Sequence, residues 1–279
     1  MRRAGLLLLL ALLVLSCRPS LRGDARALSQ RGVETGTRLA GLYDSLAGDT
    51  VDAWELTAFR RGFMRLPAPE ADARASFEAQ YKALRARARL ARRMVTIYES
   101  LGRLASYDTA DEIGAAISGL EADLEGVVES PLQEAPRRDV LDAIIKGIAS
   151  WKETRELRSG ARLIEQTAVA VDALFRGERE LYRDIAADRA DKYRQIATEL
   201  VQAKEVVSSS MVDRVLSAYG LAWPDVKAPF QDERAIAGIL EIIDARSRTF
   251  EAQSEDETTA VSRALSALLR EHREIRGGD

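Results

Sequence analysis

The chain has 279 residues, of which 41 are lysine or arginine and 44 are aspartate or glutamate, so its formal net charge at pH 7 is −3. This mildly acidic balance argues against a general nucleic-acid-binding protein, which presents a basic surface to phosphates. One cysteine and one histidine exclude a disulfide within the chain and the common zinc sites, which draw several ligands from these two residue types. Alanine, leucine, arginine and glutamate predominate, a composition typical of helical proteins.

The first seventeen residues have the features of a secretory leader. Arg2 and Arg3 precede an apolar run over residues 4–15, which is shorter than the roughly 20 residues needed to span a membrane. The leader closes on Val14-Leu15-Ser16-Cys17, which resembles the lipobox of bacterial lipoproteins. The resemblance implies a signal peptide over residues 1–16, cleavage before Cys17, a diacylglyceryl thioether on its sulfur, and a fatty acyl group such as palmitate on its new amino group. The alternative is an ordinary cleaved signal with an incidental cysteine. We favour the lipoprotein because the chain's only cysteine stands where acylation requires it.

Residues 17–23 are predicted to form the acylated cysteine and a short linker, which when extended reaches about 20 Å. A folded body starting at residue 24 would therefore be held close to the membrane. The residue after the cysteine is Arg18, and not the aspartate associated with inner-membrane retention in enteric bacteria. By this analogy, the predicted location is the outer membrane, with the body facing the periplasm.

The spacing of apolar residues predicts helices throughout the first half of the body. Helices over 24–46 and 49–66, separated at Ala47-Gly48-Asp49, are expected to form a hairpin with Trp54, Phe59 and Phe63 in its core. A third helix over 70–107 would be about 57 Å long. A fourth is predicted over 108–131.

Residues 136–208 keep a helical pattern with a predicted break at Ser159-Gly160. Glu178 and Arg189 fall within the apolar seam of this segment, so either a partner side chain or a water-filled gap is expected opposite them.

The end of the chain is predicted to be helical apart from one loop. A short helix capped by the serines at 208–210 precedes the loop over 220–229, and helices over 232–252 and 255–275 follow.

No alternating strand pattern is present, so the predicted fold is all-α. We expect an elongated antiparallel bundle of long helices with coiled-coil-like packing. It would form one body over residues 24–279 or two lobes over 24–131 and 136–279.

Few residues have the pattern of a catalytic or metal site. His272 lies in the polar run Arg270-Glu271-His272-Arg273, which predicts an exposed side chain, poorly placed to serve as the base of a serine nucleophile. Glu-x-x-His pairs and glycine-rich phosphate loops are missing. We therefore expect neither a metal nor a cofactor.

Two further clusters allow a functional and a structural interpretation. Glu180, Asp184 and Asp188 share one helix face and could bind a divalent cation loosely, but arginines within one turn favour a solvated, paired face. Tyr219 and Trp223 could form an aromatic platform for a ligand or dip into lipid headgroups. We favour their closing the end of a bundle.

The most suggestive surface is a basic stripe on the third helix: Lys82, Arg85, Arg89, Arg92 and Arg93. It could orient the body on an anionic membrane or clasp an anionic envelope polymer. The alternative is pairing with acidic neighbours such as those of the fourth helix: Asp111, Glu112, Glu121, Asp123 and Glu125.

The sequence therefore favours a lipid-anchored, periplasm-facing helical module without enzymatic activity, which binds an envelope protein or an anionic envelope polymer and no nucleic acid. The alternative is an envelope enzyme that acts on polysaccharide or lipid through carboxylates or lysine. A deep pocket that gathers carboxylates away from arginine would favour the enzyme.

Overall fold

The computed structural model describes residues 21–104, 110–129, 132, 157–203, 209–227 and 233–277. Within these ranges the secondary structure is helical and contains no strand, which confirms the all-α class. The helices are α1 (Leu21–Phe63), α2 (Ala71–Leu104), α3 (Ala110–Val128), α4 (Leu157–Gln202), α5 (Ser210–Ala218), α6 (Trp223–Lys227) and α7 (Glu233–Gly277). The leader with Cys17 lies outside the described residues.

The first helix is continuous across the predicted break at residues 47–49, so the prediction of a hairpin there is wrong. The inward face of α1 passes through the break without interruption, because Leu46, Ala47, Thr50 and Ala53 are all buried. The Thr50 hydroxyl also donates a hydrogen bond of 2.8 Å to the Leu46 carbonyl. A glycine in a helix costs roughly 1 kcal/mol, which is less than the burial of a single large apolar side chain contributes.

The expected aromatic core of α1 is also only partly correct. Trp54 and the two phenylalanines at 59 and 63 are half-buried, and Trp54 stacks on Phe77 of α2 with ring centroids 5.0 Å apart. The most deeply buried side chains of α1 are Leu39, Tyr43 and Leu56.

Two other predicted interruptions are absent. The helix α4 runs through Ser159-Gly160, and α7 runs through residues 253–254, where two helices were expected. In α7 the buried side chains of Ser247, Thr258 and Val261 lie on either side of this point. Burial against neighbouring helices on both sides of this point keeps α7 helical where its sequence is locally polar.

Contacts between side chains define how the four long helices run. Ser29 of α1 bonds the backbone of Tyr98 near the end of α2, so these two helices are antiparallel. Arg194 near the end of α4 pairs with Asp244 near the start of α7 at 2.8 Å. Arg176, nearer the start of α4, bonds Ser266, nearer the end of α7, so these two helices are also antiparallel. Helix α3 packs on α2.

Helices α1 and α4 run parallel, and they span both apolar clusters of the bundle. Tyr43 lies against Tyr182. Further towards the C-terminal end of both helices, Arg60 pairs with Glu199 at 2.7 Å. The larger cluster lies towards the start of α1, and the smaller one lies where α1 and α4 end. Both clusters contain residues from before position 131 and from after position 136.

The short helices close the bundle beside the smaller cluster. Ser209 caps α5 by accepting a hydrogen bond of 3.3 Å from the Val212 amide, as its sequence predicts. The predicted loop over 220–229 is wrong in part, because residues 223–227 form α6. Tyr219 is buried, packs on Phe250 and lies 3.3 Å from the Ser247 hydroxyl, which matches the interpretation of this residue as closing the end of a bundle.

None of the described helices combines the length and the apolar character needed to cross a membrane.

The contact between α1 and α2 depends on a glycine, which leads to a prediction for Gly32→Ala. A β-carbon at Gly32 would lie 2.1 Å from the ring of buried Tyr98, so the free energy of unfolding should fall by about 1–3 kcal/mol. Gly41→Ala on the same helix is the control, because no atom lies within 4 Å of its added β-carbon. There stability should rise by roughly 0.5–1 kcal/mol. Urea denaturation followed by circular dichroism measures both, and equal effects would contradict the close packing at Gly32.

Candidate functional site

A buried ion pair joins α2 to α4 at the centre of the bundle. Arg87 is fully buried, and its Nε donates a hydrogen bond of 2.6 Å to Oε2 of Glu178. A second bond joins Nη2 to the other carboxylate oxygen, so the pair is bidentate. Glu178 therefore faces a partner side chain, the first of the two arrangements expected for an acid in the apolar seam.

Two tyrosines complete this network. The Tyr182 hydroxyl donates to Glu178 and lies 3.3 Å from the Tyr43 hydroxyl of α1. Burial, together with the neighbouring Tyr43 and Glu178, raises the pKa of Tyr182 well above its ordinary value. Burial alone would lower the pKa of Arg87, but the hydrogen bonds and charge of Glu178 raise it. The guanidinium of Arg87 and the carboxylate of Glu178 both hydrogen-bond to neighbouring groups. The ion pair therefore holds helices together, and neither of its side chains is available to a substrate.

The buried pair predicts a difference between single and double substitutions. Arg87→Met should destabilise the fold by about 3–5 kcal/mol, because it leaves the Glu178 charge buried without a partner. Arg87→Met with Glu178→Leu should recover most of this loss, since no buried charge remains. Chemical denaturation of the single and double variants makes the comparison. A double variant as unstable as the sum of its two single variants would contradict the argument.

The only histidine is buried near the start of α1, so the prediction of an exposed side chain is wrong. His272 is 7% exposed, and its Nε2 lies 2.6 Å from the Tyr98 hydroxyl of α2. His272 lies one turn after buried Leu268 and Leu269 and so shares their helix face. This spacing indicates a buried side chain, although the residues next to His272 in the sequence are polar. The hydroxyl partner is a tyrosine, so this contact is not that of a serine nucleophile with its base.

Burial lowers the pKa of His272 to about 4 from its ordinary 6.5, which predicts a stability that depends on pH. The unfolded chain takes up the proton first as the pH falls. The stability due to neutral His272 is therefore fully present above pH 6.5 and is lost as the pH falls towards 4, by up to about 3 kcal/mol.

His272→Gln should lack this loss of stability, and urea denaturation between about pH 7 and pH 4.5 compares it with the unsubstituted protein. Asp49 changes stability in the opposite direction over part of this range, because burial raises the pKa of its carboxyl to about 6. An Asp49→Asn background removes that contribution in both proteins. Identical pH dependence with and without His272 would show that its protonation is not coupled to folding.

Other carboxylates of the bundle lie against arginines. Arg189 Nε of α4 is 3.3 Å from Asp49 and 3.2 Å from Asp52, so Arg189 also faces partner side chains. Burial is the largest cause of the raised pKa of Asp49; Arg189 opposes it, and Asp52 and Glu257 add to it.

The acidic trio of α4 has the geometry of a solvated face. Glu180 pairs with Arg183 at 3.1 Å, Asp188 pairs with Lys192, and Asp184 is exposed. Across the described ranges, no three His, Cys, Asp or Glu side chains are placed to hold a metal ion together.

The basic stripe is divided between two neighbours. Arg85 Nη1 lies 2.7 Å from Oδ1 of Asp44 on α1, and Arg92 pairs with the other oxygen of the same carboxylate. Arg93 turns the other way and pairs with Asp123 of α3 at 2.9 Å, one of the acids that the alternative named. The side chains of Asp111 and Glu112 lie outside those that the structure describes.

Lys82 and Arg89 are exposed and pair with no acid in the described part of the chain. We name five residues the Asp44 cluster: Asp44, Lys82, Arg85, Arg89 and Arg92. Sequence reasoning missed Asp44 as a member, because it lies 41 residues from Arg85 and has no local pattern that connects it to α2.

Comparisons with known protein families, with curated proteins and with solved structures give no match.

Proposed function

We propose that this protein is a bacterial lipoprotein whose helical body is a non-enzymatic binding module of the cell envelope. The observation that carries the proposal is the leader, in which an apolar run ends on Val14-Leu15-Ser16-Cys17. Acylation of Cys17 anchors the chain, and Arg18 favours the outer membrane, with the body facing the periplasm.

The start of α1 supports a body held directly at the membrane. Helix α1 begins at Leu21, so residues 21–23 of the predicted linker belong to it. The three residues between Cys17 and α1 reach only about 10 Å when extended. With 43 residues, α1 is about 64 Å long. We propose an elongated body in which the start of α1 lies near the leaflet and its end projects towards the periplasm.

The pairing of charged groups supports binding over catalysis. An enzyme using carboxylates would need one kept away from arginine in a cleft. Asp49, the described carboxyl group whose pKa is raised, lies against Arg189. Among the residues that the structure describes, the alternative of an envelope enzyme acting on polysaccharide or lipid has no such observation in its favour.

Metabolic labelling tests the anchor. Cells grown with an alkynyl fatty acid should label the wild-type protein, and the label should remain with the membrane fraction. Cys17→Ala should abolish the label and leave an uncleaved precursor, because lipoprotein processing requires the acylated thiol. Label on the Cys17→Ala protein, or wild-type protein in the soluble fraction, would refute the proposal.

Arg18→Asp is the matched variant for location, since it keeps Cys17 intact. In an enteric host it should keep the label and move the protein from the outer to the inner membrane on a density gradient.

A further inference from the structure

The Asp44 cluster contains a single carboxylate, that of Asp44. Both of its oxygens bind arginine, Arg85 on one side and Arg92 on the other. Lys82 and Arg89 lie on the same face of α2 as these two arginines, and Nη2 of Arg89 extends towards Gly126 of α3. The cluster therefore holds four cations and one carboxylate, an excess of three positive charges on a chain whose net charge is −3. The potential at this face is therefore positive although the protein as a whole is acidic.

The pairs around Asp44 are exposed enough to exchange. The side chains of Arg85 and Arg92 are 43% and 48% exposed, and that of Asp44 is 34% exposed. Ion pairs in contact with water contribute little to stability, because water solvates the separated charges almost as well. Guanidinium groups bind phosphate in the same bidentate manner as carboxylate, so a phosphate group can take the place of Asp44.

The cluster is long and open. Lys82 and Arg92 are ten positions apart on α2, which corresponds to about 15 Å along the helix. On α1, Gly41 and Gly48 lie one turn before and after Asp44, and no atom beyond the adjacent backbone of α1 lies within 4 Å of where their β-carbons would be. A single small anion would reach only part of this face, whereas an extended polymer could contact all of it.

We propose that the Asp44 cluster binds a linear, phosphate-bearing polymer of the cell envelope, and that Asp44 is an internal competitor for the same arginines. The choice of an envelope polymer rests on the location proposed above. Phosphates of the leaflet that holds Cys17 are a poorer match. Asp44 lies 23 residues beyond Leu21, about 35 Å along α1, while electrostatic attraction falls off over about 8 Å.

The test uses full-length protein in neutral detergent and a fluorescent linear polyphosphate, with binding followed by anisotropy. Arg85→Gln with Arg92→Gln should weaken binding about tenfold or more, and binding should fall at high salt. Asp44→Asn should tighten binding about fivefold, because both arginines lose their internal partner. A purely structural role of Asp44 would not produce tighter binding.

Asp244→Asn is the matched control. Asp244 is a half-exposed aspartate paired with Arg194 at 2.8 Å, and its substitution changes the net charge equally. Affinity should stay near the wild-type value. Equal tightening by Asp44→Asn and Asp244→Asn would show a general charge effect and overturn the proposal.

If Asp44→Asn lowers the melting temperature, its effect on binding cannot be separated from its effect on folding, and a second variant tests the proposal. Lys82→Gln with Arg89→Gln removes two cations that pair with no described acid, so it should weaken binding without loss of stability. Unchanged binding would overturn the proposal, as would the absence of polyphosphate binding by the unsubstituted protein. Polyphosphate binding by a protein that carries no acyl label would support the cluster and refute the anchor, so the two failures are distinguishable.

Discussion

The ion pair between Arg87 and Glu178 is the constraint on which the arrangement of the bundle depends. Both side chains are removed from water, and a buried charge is tolerated only beside its partner. Sliding α2 along α4 would separate the two charges inside the apolar core, so the pair restricts how these helices lie. Tyr182 extends the restriction towards α1 through its contact with Tyr43. Apolar contacts supply the driving force for association, whereas this polar network selects one alignment among several that would bury similar area.

Around this centre, the charged residues of the bundle fall into two groups with different physical roles. Buried or partly buried pairs such as Arg87–Glu178 and Arg189 with Asp49 lie between helices and resist separation. Exposed pairs such as Arg194–Asp244 are weak and exchange readily with water and ions. The Asp44 cluster belongs to the second group but carries excess positive charge. It is therefore the place where we propose that an external anion competes, and the position of Asp44 on α1 sets its distance from the proposed anchor.

Close packing between α1 and α2 depends on two glycines. Gly32 accommodates the ring of Tyr98, and Gly102 of α2 accommodates the Ser29 side chain. The approach allows the Ser29 hydroxyl to reach the Tyr98 carbonyl at 2.6 Å, while the Tyr98 hydroxyl meets His272 of α7. Three helices are thereby joined close to the start of α1.

The sequence by itself determined the helical class, the extents of α2 and α3 to within a few residues, and the serine cap of α5, because apolar periodicity and capping are local properties. It also carries the whole case for the proposed acylation of Cys17. Only the tertiary structure decided that α1 and α7 continue where glycine and polar residues predicted breaks. A local cost of about 1 kcal/mol is outweighed when neighbouring helices bury the same face on both sides. The tertiary structure likewise decided the partners of Arg87, Asp44 and His272. Those partners lie 41 to 174 residues away along the chain, and a pairing across such a distance leaves no pattern in the local sequence.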